Sequence, residues 1–310
     1  MDKIKVLILG ASGMLGSMVT DFLSRDEDLS FTATVRSSEF IKKARKQIKN
    51  VKWQIFEVKD EAQTVQQLRG LGKPDWVVNA IGIIKPYARD NVPIEVERAI
   101  VGNAAFPYWL TRTFEQSRIL QIATDCVYSG SKGHYVESNK HDALDVYGKT
   151  KSLGEALFSN VNHLRCSIIG PEPKNYVSLL EWFRRQHVHS TVSGFINHSW
   201  NGITTLHFAK ICYGIIKDNT SLPHLQHVIP SEDITKHDLL RCLARCYERL
   251  DIDIIGSNAP QAIDRRLATD NKELNAILWK NAGYEVHPPT VPEMVEELAA
   301  FDYRFEELKK

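Results

Sequence analysis

The chain has 310 residues, 43% hydrophobic and 25% charged, with a formal net charge of +1. That balance describes an ordinary soluble globular protein and excludes a disordered or low-complexity one. A near-neutral chain carries no electrostatic footprint for nucleic acid or an anionic membrane, so an anionic ligand must be held by local groups.

No apolar run reaches the length of a membrane span, and the run Val6–Leu9 is too short for a signal segment. Five scattered cysteines do not make a disulfide framework. These features predict reduced thiols and a cytoplasmic protein.

In chain order, short β-branched apolar runs predict strands at Lys5–Leu9, Phe31–Val35, Trp53–Val58, Trp76–Ala80, Leu120–Thr124 and Leu164–Ile169. Amphipathic stretches between them predict helices at Met14–Ser24, Phe40–Lys49, Ala62–Leu71, Asn103–Gln116 and Val146–Ser159. Strands that are apolar on both faces, alternating with helices, imply an α/β fold with a doubly wound parallel sheet of the Rossmann type. After Gly170-Pro171 the alternation is lost. A helix at Leu206–Ile216 and a strand at His227–Ile229 return to the sheet. A helix capped by Ser231 follows, and the tail from Asn271 is helical, including Pro292–Phe301. The division is residues 1–169 as a dinucleotide-binding domain, rejoined by about 203–229. Residues 170–310 are mainly a smaller, discontinuous α/β substrate-binding lobe.

The first strand runs into Gly10-Ala11-Ser12-Gly13-Met14-Leu15-Gly16, which opens a helix. Gly10 permits a sharp turn, Gly13 lets backbone amides approach a pyrophosphate, and Gly16 lets the helix pack on the strand. The helix N-terminus adds partial positive charge for the phosphates. The second strand ends in Arg36-Ser37 where an NAD enzyme usually places a carboxylate. Arg36 can pair with a 2′-phosphate, so NADP(H) is the preferred cofactor and NAD(H) the alternative. Glu57-Val58 and Asn79-Ala80-Ile81-Gly82 end the third and fourth strands at the same crevice and complete the cofactor set.

The chemistry is carried by Tyr147 and Lys151, four apart on one helical face, with Thr124 at the carboxyl end of the fifth strand. A free phenol has a pKa of about 10, and a nearby ammonium favours phenolate. Lys151 is therefore expected to lower Tyr147 toward neutrality and to hold the nicotinamide ribose. Thr124 polarises the substrate carbonyl, and Tyr147 is the general acid in the reductive direction. Asn103 opens the helix after the fourth strand, as a cap or as part of a proton relay.

Thr124-Asp125-Cys126-Val127-Tyr128 resembles the serine–threonine–aspartate–tyrosine–valine–phenylalanine segment of the dTDP-4-dehydrorhamnose reductases, members of the extended short-chain dehydrogenase/reductases. The two-residue gap between Gly10 and Gly13 is the form seen in that superfamily. Val146 to Lys151 with Gly154-Glu155 is similar to the family's valine–tyrosine–glycine–x–threonine–lysine stretch. Asp264-Arg265-Arg266-Leu267 looks like its late arginine–leucine segment, and Trp200 to Thr205 like its glycine-containing turn. The likeness covers about residues 5 to 270.

The resemblance implies NADPH-dependent reduction of the 4-keto group of a nucleotide-activated deoxysugar, in surface-polysaccharide or deoxysugar biosynthesis. It also implies a nucleotide-sugar partner and a homodimer. Asp125 and Cys126, with Trp182, Trp200 and Arg265 of the second lobe, join Thr124 as substrate-side residues. Trp182, Arg184, Arg185, Asn197, His198 and Trp200 cluster where that lobe should face the cleft. The chain departs from the family at Ala123, Cys126 and the segment Ile81–Pro93, which leaves the sugar open. Asp125 is not followed by glutamate, unlike in the related 4,6-dehydratases. A nucleotide-sugar epimerase and a non-catalytic NADP-binding regulatory subunit are the alternatives. No histidine or cysteine spacing suits a metal. Cys242 and Cys246 are expected in the core.

Overall fold

The computed structural model describes residues 3–306. Strands β1 (Ile4–Leu9), β2 (Leu29–Val35), β3 (Val51–Ile55), β4 (Trp76–Asn79), β5 (Arg118–Thr124) and β6 (Val161–Cys166) alternate with helices. These helices are α1 (Met14–Leu23), α2 (Ser38–Gln47), α3 (Glu61–Gly70), α4 (Pro93–Ala99), α5 (Phe106–Thr113) and α6 (Val146–Leu153). Beyond β6 come β7 (Ile168–Ile169), α7 (Leu179–Arg184), β8 (Thr191–Phe195), β9 (Ser199–Trp200), β10 (Ile203–Thr204), α8 (Thr205–Lys217) and β11 (Leu225–His227). The chain closes with β12 (Ile234–Thr235), α9 (Lys236–Cys246), β13 (Asp253–Ser257), α10 (Lys272–Asn281) and α11 (Val291–Ala300).

Seven strands form one parallel sheet in the order β11-β6-β5-β4-β1-β2-β3. Successive strand residues point to opposite faces, and here both faces are buried. Val6 and Ile8 belong to the core beneath α1 and α8, while Leu7 and Leu9 belong to the core beneath α3 and α5. This is the doubly wound Rossmann plan read from the strand–helix alternation. The strand order reverses between β1 and β4, and the carboxyl ends of such strands define the ligand crevice.

Local chemistry fixes the helix starts. Ser37, Asp60, Asp145, Thr204, Thr235 and Thr290 each accept a backbone amide from the first turn of α2, α3, α6, α8, α9 and α11. Thr290 and Glu293 form a reciprocal capping box. Ser231 is not a cap: the cap of α9 lies four residues later, where Thr235 accepts the Asp238 amide at 3.0 Å.

Two helices differ from their sequence outlines. The expected helix from Asn103 begins at Pro93 and passes through a π-helical turn at Ile100–Ala105 before continuing as α5. Asn103 therefore caps nothing. The expected Val146–Ser159 helix stops at Leu153, because the chain packs tightly at Gly154. A Cβ there would lie 1.8 Å from the Asn103 carbonyl oxygen.

Outside the large sheet, β7 pairs with β10, β8 with β13, and β9 antiparallel with β12. The tail returns to α1: Tyr303 meets the Ser17 hydroxyl at 2.5 Å, and Arg304 donates to the Asp21 carboxylate at 2.7 Å.

Candidate active site

A cavity of about 1480 Å³ opens at the carboxyl ends of the strands. It exceeds the usual single-ligand pocket of about 300–1,000 Å³. At one end lie Gly10, Ser12, Gly13, Met14 and Leu15, and at the other Thr124, Tyr147 and Lys151.

The glycine turn is built for close approach. Gly10 sits at φ +83°, which disfavours any side chain, and a Cβ there would press on the Ala80 backbone. Gly16 lies outside the cavity but decides how α1 docks, since a Cβ on it would sit 2.3 Å from the Gly10 carbonyl oxygen. The turn is tied down by the Gly13 amide donating to the Gly10 carbonyl at 2.9 Å and by the Gly10 amide donating to Thr34 at 3.2 Å. Gly13 at the N-cap offers no side chain to the first-turn amides of α1, which leaves them for a ligand.

The remaining cofactor candidates divide in two. Arg36, Glu57, Val58, Ala80, Ile81 and Gly82 line the cavity. Ser37, Asn79 and Asn103 do not line it; they build its wall. Ser37 accepts the Phe40 amide as the cap of α2. Asn79 donates to Gln121 at 2.6 Å and accepts the Ile81 amide at 3.0 Å. Asn103 accepts the Ile83 amide at 2.7 Å, donates to the Ile83 carbonyl at 2.9 Å and reaches Thr150 at 3.2 Å. The π-turn that carries Asn103 thus locks the β4 loop to α6, the helix of Tyr147 and Lys151.

That helix is positioned from three sides. Asp145 accepts the Gly148 amide at 2.9 Å and pairs with Lys85 at 2.9 Å, while Asp90 accepts the Val146 amide at 2.8 Å. Tyr147 and Thr124 both line the cavity, and the Thr124 hydroxyl is near enough to act on the phenol. The Thr124 hydroxyl also donates to Asp125 at 3.2 Å and accepts the Cys126 amide.

Electrostatics correct one expectation. Burial, reinforced by Cys126, pushes the Tyr147 phenol well above its usual range. The Lys151 ammonium does not offset this; it donates 2.8 Å to the Ile122 carbonyl. Burial also depresses Lys151 itself, to about 8. Tyr147 therefore rests as a protonated phenol, a donor and not a base. Burial pushes Asp125 up against the opposing charges of Arg265 and Lys236. It raises the Cys126 thiol to about 12, so Cys126 is no thiolate nucleophile.

Asp125 and Cys126 line the cavity, whereas Trp182, Trp200 and Arg265 do not. Trp182 is 42% exposed on α7. Trp200 is buried, with its indole donating 2.7 Å to Ser167 and Lys236 over its ring. Arg265 donates 2.8 Å to the Tyr128 carbonyl, and its charge reaches Asp125 from behind. Arg184 pairs with Glu306, Arg185 stacks on Tyr176, and Asn197 and His198 bond the 259–261 backbone. These side chains are committed to packing within the lobe.

Several cavity residues went unread in the sequence: Lys85, Tyr87, Glu95 and Arg98 around α4, and Ser167, Glu172 and Lys174 after β6. They sit in loops or on a short helix face, and no spacing rule points to them. Among the described residues, no cluster of three or more metal-ligating side chains occurs, and no helix is long and apolar enough to cross a membrane.

The residues present fit a nicotinamide dinucleotide. A left-handed glycine, first-turn amides with no side-chain cap, a strand-end arginine and a cavity of sufficient volume meet in one crevice.

Comparison with known proteins agrees with this architecture. The family model described as RmlD substrate binding domain matches residues 4–193. A dTDP-4-dehydrorhamnose reductase from Clostridium acetobutylicum superposes with a TM-score of 0.68 at 19% identity, over 96% of this chain and 99% of that one. A dTDP-4-dehydrorhamnose reductase from Bacillus anthracis in complex with NADP gives 0.70 at 16%, over 96% and 98%. A UDP-glucuronic acid 4-epimerase from Bacillus cereus, in complex with NAD and a fluorinated UDP-sugar, gives 0.73 at 15%, over 98% and 100%. At these identities the structural likeness speaks for the fold alone. No curated protein sequence matches the chain.

Proposed function

We propose, on the premise that the chain belongs to the RmlD substrate-binding-domain family, that it is an NADPH-dependent reductase of the 4-keto group of a nucleotide-activated deoxysugar. The observation that carries this reading is that Thr124, Tyr147 and Lys151 line the same cavity as the glycine turn.

A bound nicotinamide supplies the hydride. The protein's own part is to position the ketone and deliver a proton. Thr124 donates a hydrogen bond to the carbonyl oxygen as negative charge develops there. Tyr147, held protonated by burial, gives that oxygen its proton. Lys151 is anchored at the Ile122 carbonyl, beneath the strand end, where its ammonium favours the phenolate that remains. Arg36, in place of a strand-end carboxylate, supports NADPH over NADH.

The test is NADPH oxidation, followed at the nicotinamide absorbance, against a panel of nucleotide-linked 4-keto sugars. Oxidation equal to the sugar consumed is the expected result. Sugar conversion without net oxidation would replace the reductase by an epimerase using the same residues. Tight NADPH binding with no conversion, and a stable complex with another enzyme, would replace it by a regulatory subunit.

A further inference from the structure

Two basic side chains, Arg36 and Lys174, line the cavity that holds the glycine turn. Arg36 comes from the end of β2. Lys174 comes from the loop between β7 and α7 and donates 2.9 Å to the hydroxyl of Ser12. Their charges act on each other: burial, and then Arg36, lower the Lys174 ammonium below its usual range. Among the described residues neither forms an ion pair with a carboxylate. The nearest acid in sequence, Glu172, is committed elsewhere, accepting the amides of Val177 and Ser178 at 2.6 and 3.1 Å. Two neighbouring cations without a carboxylate partner repel each other. They are what a multivalent anion needs.

The pyrophosphate of a dinucleotide has its own partners, the first-turn amides of α1 behind Gly13. Arg36 follows β2, the neighbour of β1 on the side away from β4, and Lys174 reaches the turn at Ser12. We propose that Lys174 is the second cation of a phosphomonoester site, closing with Arg36 and Ser12 on the 2′-phosphate of the cofactor's adenosine ribose. Lys174 is then a specificity-determining residue supplied by the half of the chain that follows the strand–helix alternation. This inference rests on the NADPH reading above and deepens it. One consequence is mechanical: cofactor binding pins the Glu172–Ser178 loop onto the glycine turn. That loop also lines the cavity beside Ser167 and Ile168, so the cofactor phosphate helps shape the wall that a substrate meets.

The experiment is a set of binding titrations without turnover, following intrinsic fluorescence or heat for NADPH, NADH, 2′,5′-ADP and 5′-AMP. The proteins are wild type, Lys174→Met, Lys174→Arg and Arg36→Met, each first shown to keep the wild-type circular dichroism and melting temperature. The expected result for Lys174→Met is a loss of about tenfold or more for NADPH and 2′,5′-ADP, with NADH and 5′-AMP changed less than about threefold. Lys174→Arg retains most of the affinity, and rising salt weakens wild-type NADPH binding more steeply than that of Lys174→Met. Equal losses for NADPH and NADH would overturn the inference, since Lys174 would then serve the pyrophosphate or the turn. Unchanged NADPH affinity in Lys174→Met, with discrimination lost in Arg36→Met, would sink the inference while leaving the NADPH reading intact. Wild type binding NADH as tightly as NADPH would defeat both.

Discussion

The Lys151 ammonium donates to the carbonyl oxygen of Ile122 at 2.8 Å, inside the sheet end and not on the Tyr147 phenol. Burial brings its pKa down to about 8. If the ammonium is what stabilises the spent phenolate, turnover should fall as pH rises through about 8. Stability should move the other way. The unfolded lysine titrates near 10.4, so between about 8 and 10.4 the unfolded chain binds the extra proton and stability rises with pH. The comparison that isolates Lys151 is wild type against Lys151→Met. The difference in turnover should shrink, and the difference in melting temperature should change, across that same window. Parallel pH profiles for the two proteins would show that the ammonium takes no part.

Tyr147→Phe should leave the cavity intact and remove only the phenolic hydroxyl beside Thr124. Loss of a general acid is worth about 10²–10⁴-fold in turnover. NADPH affinity, measured by fluorescence titration, should stay within about twofold. Turnover within threefold of wild type would eliminate Tyr147 as the proton donor.

Much of the site was legible because its parts lie at strand ends and helix starts. The Gly10–Gly16 turn, Arg36 and the Tyr147–Lys151 pair each sit where a periodic element begins or stops, and periodicity is what a sequence displays. Charge direction was not legible. The Lys151 ammonium is aimed by a carbonyl that only the β5 register presents, and burial outweighs any effect of it on Tyr147. Asn103 reads as a helix start because caps are the commoner use of asparagine, and a π-turn has no sequence signature of its own. Trp200 and the Arg184–His198 group drew attention as large polar and aromatic residues in a loop-rich region. Lys236 and Ser167 occupy Trp200, as Glu306 and Tyr176 occupy the two arginines, through contacts made across the fold. Lys174 escaped notice for the same reason, since its partner Ser12 is 162 residues away.

Gly16→Ala tests the cofactor cradle without touching a polar atom. The added methyl would lie 2.3 Å from the Gly10 carbonyl oxygen, and backbone rather than a side-chain tip must move. Overpacking of this kind costs about 1–3 kcal/mol. The denaturant midpoint should fall accordingly, and NADPH affinity should fall with it, because Gly10 and Gly13 shift together. A variant of wild-type stability and affinity would show that α1 can slide away from β1 at no cost.

The buried guanidinium of Arg165 fixes the protonation of two histidines. It donates to the Tyr128 hydroxyl at 2.8 Å, pairs with Glu155, and meets His227 Nε2 and His141 Nε2 at 2.9 Å each. Arginine has only donors, so both imidazoles must accept there and carry their proton on Nδ1. His227 Nδ1 then donates to the Ala268 carbonyl at 2.7 Å, and His141 Nδ1 to the Ser152 hydroxyl at 2.7 Å. A second proton on either ring would face the guanidinium. Burial, and then Arg165, accordingly hold His227 down at about 4. Since the unfolded imidazole titrates near 6.5, the unfolded chain binds more protons between about 6.5 and 4. Stability is therefore full above that window and is lost as pH falls through it, by roughly 3 kcal/mol from His227. His227→Gln keeps an acceptor and a donor but cannot titrate. It should flatten the acid limb of a melting-temperature profile between pH 6.5 and 4 while costing little at pH 7.5. Arg165→Met should instead be destabilising at every pH, by about 3–5 kcal/mol, because it strands Glu155 without its partner. An acid limb unchanged in His227→Gln would move the pH sensitivity to other buried groups, of which His163, also held at about 4 by burial, is the next to test.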